Sequence, residues 1–258
     1  MNHATPAAER RRVAVRTVSW GRPWHWLAAG LADLRRSPLP GLVHGLACTL
    51  FGLALIALAG QRFWLLAGAF SGFLIVAPVV ATGLYAVSRA LERSEPATLA
   101  TALSTWRPRD GRLVSFGVLL ALAGTGWVVT SAGLITSFAP APVNDPMAFL
   151  RVVVLAPSSW LFGVWLVLGG VLAAPVFASS VVAIPMLLDR SASVPAAVYT
   201  SWRVVIDNPV PMALWALIIV TASALAIAAF MAALVIVVPL LAHASWHAYR
   251  DLVDPDGA

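Results

Sequence analysis

Forty-two consecutive residues, 208–249, contain no Asp, Glu, Lys or Arg. As one helix rising 1.5 Å per residue they would extend about 63 Å, roughly twice the hydrocarbon core of a bilayer. A water-soluble fold of this size has no interior deep enough to hide such a run. The chain must cross lipid and return, and the turn is expected near Ala228 to Met231. Four further charge-free intervals, 37–61, 63–88, 113–144 and 152–188, each hold one span of about 20 residues. The expectation is an all-α polytopic membrane bundle with six transmembrane helices, at about 40–60, 64–88, 113–136, 160–187, 211–228 and 231–250.

Composition agrees. Sixty per cent of the residues are hydrophobic and 11% charged, where a soluble domain carries about a quarter charged. Cys48 is the single cysteine, so no internal disulfide can form, and it reads as a small buried hydrophobe. The first apolar run begins only after a polar stretch, too late for a cleavable signal segment. Residues 1–18 are expected to be a disordered cytoplasmic tail, with 19–253 forming one membrane domain.

Every basic residue is arginine. With six spans both termini lie on one side, and that side receives Arg10, Arg11, Arg12, Arg16, Arg22, Arg35, Arg36, Arg89, Arg93, Arg107, Arg109, Arg112, Arg190, Arg203 and Arg250. The other side receives only Arg62 and Arg151. Positive charge marks the cytoplasmic face, so a bacterial inner-membrane protein with cytoplasmic termini is expected. The arginines then face anionic headgroups, and the high pI requires no nucleic-acid partner. Trp20, Trp24, Trp26, Trp64, Trp106, Trp160, Trp202 and Trp246 fall at span ends or flanks, as an interfacial aromatic belt requires. The outer loop 137–159 is expected to be irregular, with a short surface-lying piece near 147–155.

Three stretches align: APVVATGLYAVSRALER from Ala77, APVFASSVVAIPMLLDR from Ala174 and VPLLAHASWHAYRDLVD from Val238. Pro78, Pro175 and Pro239 occupy their second positions; Arg89 matches Arg250, and Glu92 matches Asp189. Each pair of spans follows a Trp- and Arg-containing amphipathic segment. Arg35 and Arg36 close the first segment, and Trp106-Arg107 corresponds to Trp202-Arg203. The second and third units carry these Trp-Arg pairs, and the third adds Asp207 and Asn208. The chain therefore reads as three helix-hairpin units, about 20–93, 97–190 and 195–253, each led by a cytoplasmic interfacial helix. Proline inside a span frees a carbonyl and kinks the helix, so Pro78, Pro175 and Pro239 mark a shared packing feature or a cavity. The Ser-Pro and Asn-Pro pairs at 37–38 and 208–209 suit the entry to a span, with Ser or Asn as cap.

Ionisable groups within spans are the default functional candidates. His243 and His247 stand one helical turn apart, and His44 lies at similar depth in the first span. Imidazoles at one level could ligate haem or a transition metal. Snorkelling towards headgroups is the alternative. No acidic residue shares their span, so an orienting carboxylate would come from Asp251 or a loop. No catalytic group stands out: there is no phosphate loop, dinucleotide fingerprint or CxxC pair.

PWHWLAAGLADLRRSPLPGLVHG, GFLIVAPVVATGLYAVSRALE, IPMLLDR, TSWRVVIDNPVPMALWA and PLLAHASWHAYRDLV resemble the bacterial integral membrane proteins grouped as domain of unknown function 2189. The resemblance runs over about residues 20–253 and implies several spans without an established activity. Some members carry labels as cytochrome c oxidase subunits. An oxidase core needs more spans and more intramembrane histidines than are read here, so at most an accessory role follows. The leading expectation is a non-enzymatic accessory, assembly or transport-type membrane protein, working through its cytoplasmic face with a membrane-protein partner. The alternatives are a haem- or metal-binding redox protein using His44, His243 and His247, and a small-solute carrier with a cavity near the three prolines.

Overall fold

A computed structural model describes residues 13–59, 81–105, 111–157, 160–229 and 231–254. Among them the chain is helical, and the one extended pairing is the antiparallel bridge between Val15 and Val253. The helices are α1 (Arg22–Arg36), α2 (Pro38–Ala59), α3 (Thr82–Glu92), α4 (Leu99–Ser104), α5 (Gly111–Phe138), α6 (Pro146–Phe149), α7 (Trp160–Ser180), α8 (Ala183–Asp189), α9 (Val194–Asp207), α10 (Pro209–Ala228) and α11 (Leu234–Leu252). A π-helical turn, Leu150–Val154, continues α6. Val153 is buried with Val143, Ile135 and Leu161, so this piece of the loop between α5 and α7 packs onto the ends of those helices.

Among the described residues, four helices are long and apolar enough to cross a membrane: Pro38–Ala57, Gly111–Phe138, Trp160–Asp189 and Pro209–Ala228. They carry much exposed apolar surface, for example Leu46 and Leu50 on α2, Val118 and Leu122 on α5, Val167 and Val171 on α7, and Leu217 and Val220 on α10. Such faces need lipid. Most of the expected span 64–88 lies outside the described residues, and Pro78 with it; Trp106 and Arg107 are outside as well. The long C-terminal run doubles back through a turn after Ala228, where Met231 takes a left-handed backbone (φ 63°).

The expected sixth span, 231–250, coincides with α11, but this helix is not among the four. Its C-terminal half is polar and buried in protein: His243, Ala244, Trp246 and Tyr249 are fully enclosed. Ala244, Trp246 and Tyr249 belong to the main core, with Trp26 of α1, Leu84 and Tyr85 of α3, Ile184, Met186 and Leu187 of α8, Val204 of α9, and Met212 and Trp215 at the start of α10. The densest packing is thus a helical head at one end of the apolar helices, with α11 running through its centre.

Pro175 and Pro239 both lie inside helices that continue through them. α7 runs through Pro175 and breaks only at residues 181–182. That break lies one turn before Pro185, whose ring collides with the carbonyl four residues back. The N–H of Val182 donates instead to Ser201 Oγ (3.1 Å). α11 runs through Pro239, which frees the Val235 carbonyl four residues back. A Cβ on Gly45 would lie 2.2 Å from that oxygen, and one on Gly41 3.0 Å from Pro239 Cβ. Two glycines four apart thus let α2 close onto α11, and Gly30 does the same from α1, where a Cβ would meet Ala244 N at 2.6 Å. Pro239 is therefore packed against α2.

Val13 to Val18 run alongside the C-terminal segment: Arg16 N–H donates to Leu252 O, and Asp254 N–H to Ala14 O. Asn208 was expected to cap α10, but its side chain makes no cap bond. Its Oδ1 accepts from Val18 N–H (2.8 Å) and its Nδ2 donates to Arg16 O (3.0 Å). Ser37 likewise donates to Ala97 O (2.6 Å). Both side chains tie sequence-distant segments together, and Asn208 Nδ2 also donates to Val204 O (3.1 Å) in the last turn of α9.

Candidate functional site

The site grows from α1. Pro23 stands in its first turn, where a missing N–H costs no helical bond. Trp26, Gly30, Asp33 and Leu34 are its buried stripe, at the 3–4 residue spacing of one helical face. Arg35 and Arg36 close the last turn and stay exposed, favourably placed at the negative end of the helix dipole. Because Gly30 has no side chain, α1 lies directly on α11, and Asp33 is pressed into the interior, 5% exposed.

Asp33 is the centre of a buried network joining three helices. Its Oδ2 accepts from Ser88 Oγ of α3 (2.7 Å) and pairs with His247 Nε2 of α11 (2.8 Å). Ser88 Oγ also meets His243 Nδ1 (2.7 Å). One hydroxyl has one proton. If Ser88 gives it to the carboxylate, His243 must carry its own proton on Nδ1 and donate to Ser88. The remaining His243 nitrogen, Nε2, is buried and has no hydrogen-bond partner among the described residues. Burial works to raise the Asp33 pKa. The hydrogen bonds from His247 and Ser88, with the charge of the nearby imidazoles, overcome it and hold the carboxyl below its ordinary range.

The third histidine is close by. His44 is buried, and its Nδ1 donates to Pro40 O (2.8 Å). Its Nε2 faces the backbone of α3 so closely that a Cβ on Gly83 would lie 2.9 Å away. A haem iron needs open space at that atom, and the α3 backbone occupies it. Among the described residues no three His, Cys, Asp or Glu side chains are placed to hold a metal together. The geometry brings His44, His243 and His247 into one region, but His243 and His247 serve as hydrogen-bonded links between helices and His44 bonds back within α2.

The orienting carboxylate is Asp33, which the sequence reading passed over. Asp251, expected in that role, instead receives Arg22 Nε (2.7 Å) and Trp26 Nε1 (2.8 Å). The available signal was the stripe itself: Asp33 follows Trp26 and Gly30 at intervals of four and three, which marks an acid on an apolar face. Elsewhere on the head, Trp202 donates to Ser179 Oγ (2.9 Å), and Arg203 pairs with Asp207 (3.1 Å) one turn on.

A family model described as predicted integral membrane protein (DUF2189) matches residues 65–189. No curated protein and no solved structure shows significant similarity to the chain. The matched segment holds α3, with Ser88, and the helices through Asp189. Together with the apolar helices, it supports the resemblance read from the sequence: residues 65–189 of this chain are similar to the DUF2189 family of predicted integral membrane proteins.

Proposed function

We propose that this is a non-enzymatic inner-membrane protein of accessory, assembly or transport type, with its helical head and both termini in the cytoplasm. The observation that carries the reading is Asp33. The buried carboxylate of the head is committed to linking α1, α3 and α11, so the best-ordered polar groups build a scaffold. The Val15–Val253 bridge brings the two chain ends together, in keeping with an even number of crossings. The distribution of arginines favours the cytoplasm for that side, where exposed Arg35 and Arg36 would meet anionic headgroups. Three hairpin units and six spans remain the most economical topology, and a membrane-protein partner the natural object of such a head.

Alkaline phosphatase fused at Gln61, Asp145 or Ala229 will be active, and fused after Asp254 inactive. Activity at the C-terminal fusion, or a silent Asp145 fusion, reverses the orientation. Proteins that co-purify in mild detergent identify the partner.

One atom favours a second reading, a haem- or metal-binding redox protein: His243 Nε2 is a buried lone pair without a partner among the described residues. Protein purified from its native membrane would then show a Soret band or stoichiometric metal that His243→Ala removes. The expected result is neither, because Nε2 of His44 is already packed against α3.

A further inference from the structure

The C-terminal ends of α3, α8 and α11 converge on a cleft of about 420 Å³ lined by Arg89, Glu92, Arg93, Asp189, Arg190, Trp246 and Arg250. Four guanidinium groups face two carboxylates. Glu92 accepts from Trp246 Nε1 (3.2 Å) and Arg250 Nε (3.0 Å). Asp189 accepts from Tyr249 OH (2.8 Å), with Arg93 at 3.4 Å and Arg250 Nη1 at 3.6 Å. The two acids therefore fix Arg250 and neutralise half of the positive charge.

The other guanidinium groups are held by neutral partners or loosely. Arg89 donates to Leu188 O (2.8 Å). Arg190 donates to Tyr249 OH (2.9 Å) and Asp254 O (2.6 Å). Its Nη1 is buried with no hydrogen-bond partner among the described residues, although leaving such a donor unmet is costly. Arg93 is 53% exposed and Glu92 40%, so the cleft opens to solvent.

The geometry points to a binding site for a phosphate-bearing anion. We infer that this cleft takes one phosphate group, on a phospholipid headgroup or on a soluble phosphate. Two uncompensated positive charges match a phosphate's charge, and guanidinium forks match its oxygens in pairs. The volume is that of a small-ligand site. Arg89 aligns with Arg250, and Glu92 with Asp189, in the sequence stretches compared above; the structure gathers all four around this one cleft. Schellman-type bonds end α3 and hold Arg93 at the rim: Glu95 N–H donates to Ala90 O (2.8 Å) and Ser94 N–H to Leu91 O (3.2 Å), with Ser94 in the left-handed region (φ 58°).

The inference goes beyond the proposed function, since binding in detergent does not depend on which side of the membrane the cleft faces. Full-length protein in nonionic detergent is titrated calorimetrically with inorganic phosphate, and separately with phosphatidylglycerol or phosphatidylcholine in mixed micelles. Saturable binding of phosphate, or selection of phosphatidylglycerol over phosphatidylcholine, is expected. Arg93→Gln should weaken it about tenfold, the effect of one charge-assisted hydrogen bond. Arg151→Gln, at an exposed position of the π-helical turn between α5 and α7 and outside the cleft, should leave it unchanged. Phosphate binding without lipid selection assigns a soluble ligand; lipid selection without phosphate binding assigns a headgroup. Arg89→Gln provides a second cleft variant. Binding of neither probe overturns the inference, and so does equal weakening by Arg151→Gln and Arg93→Gln, or indifference to both cleft substitutions.

Discussion

Asp33→Ala will destabilise the helical head by about 3 kcal/mol, the low end for breaking a buried charged pair, because His247 retains contact with water. The substitution removes the one acceptor shared by Ser88 and His247. Ser88, itself 1% exposed, then has only His243 beside it, and two imidazoles lose their orientation. Thermal melting in detergent, followed by circular dichroism, should show the loss. Asp33→Asn keeps the shape and one acceptor oxygen, so it should fall between wild type and Asp33→Ala. Acid should act on the same group. A carboxyl whose folded pKa is depressed contributes stability that is fully present above its unfolded value near 4. That contribution is lost as pH falls through the lower folded value. Wild type should therefore lose stability on acidification below about pH 4, and Asp33→Asn should show a flatter acid limb. An Asp33→Ala protein as stable as wild type would mean the network is incidental to the head.

Gly45→Ala is the second large effect. Its Cβ would sit 2.2 Å from Val235 O, 2.7 Å from Val235 C and 2.7 Å from Val235 Cα. All three are backbone atoms, so no side chain can rotate away. α2 and α11 must separate, at a cost near the upper end of the roughly 1–3 kcal/mol for overpacking. Gly126→Ala in α5 is the internal control. A Cβ there meets nothing within 4 Å, and alanine is the better helix former, so this variant should match or exceed wild type. Equal melting temperatures for Gly45→Ala and Gly126→Ala would show that α2 and α11 do not touch as described.

The two positions differ in how far the sequence reveals them. The GLVHG pattern at 41–45 signals a close helix approach, and its partner could be any span. The buried stripe of α1 can be drawn from Trp26, Gly30 and Asp33, yet nothing local shows that His247, 214 positions away, completes it. Proline 185 illustrates the same limit. Three aligned prolines attracted the expectation of kinks, while the break at 181–182 belongs to a fourth, outside the aligned position. The alignment of Arg89 with Arg250 and of Glu92 with Asp189 was visible in the sequence. That these residues share a cleft was not.

Hydropathy and charge along the chain were enough to establish helices that need lipid and an apolar C-terminal run that must turn back near Ala228. These follow from the cost of exposing apolar side chains or unpaired backbone, which each segment meets by itself. The tertiary structure alone decided that the end of α11 is the core of a head, that Asp33 joins three helices there, and that Asn208 fastens the N-terminal segment. Those outcomes depend on which donors and acceptors distant segments bring within about 3 Å of each other, and a one-dimensional pattern does not contain that distance.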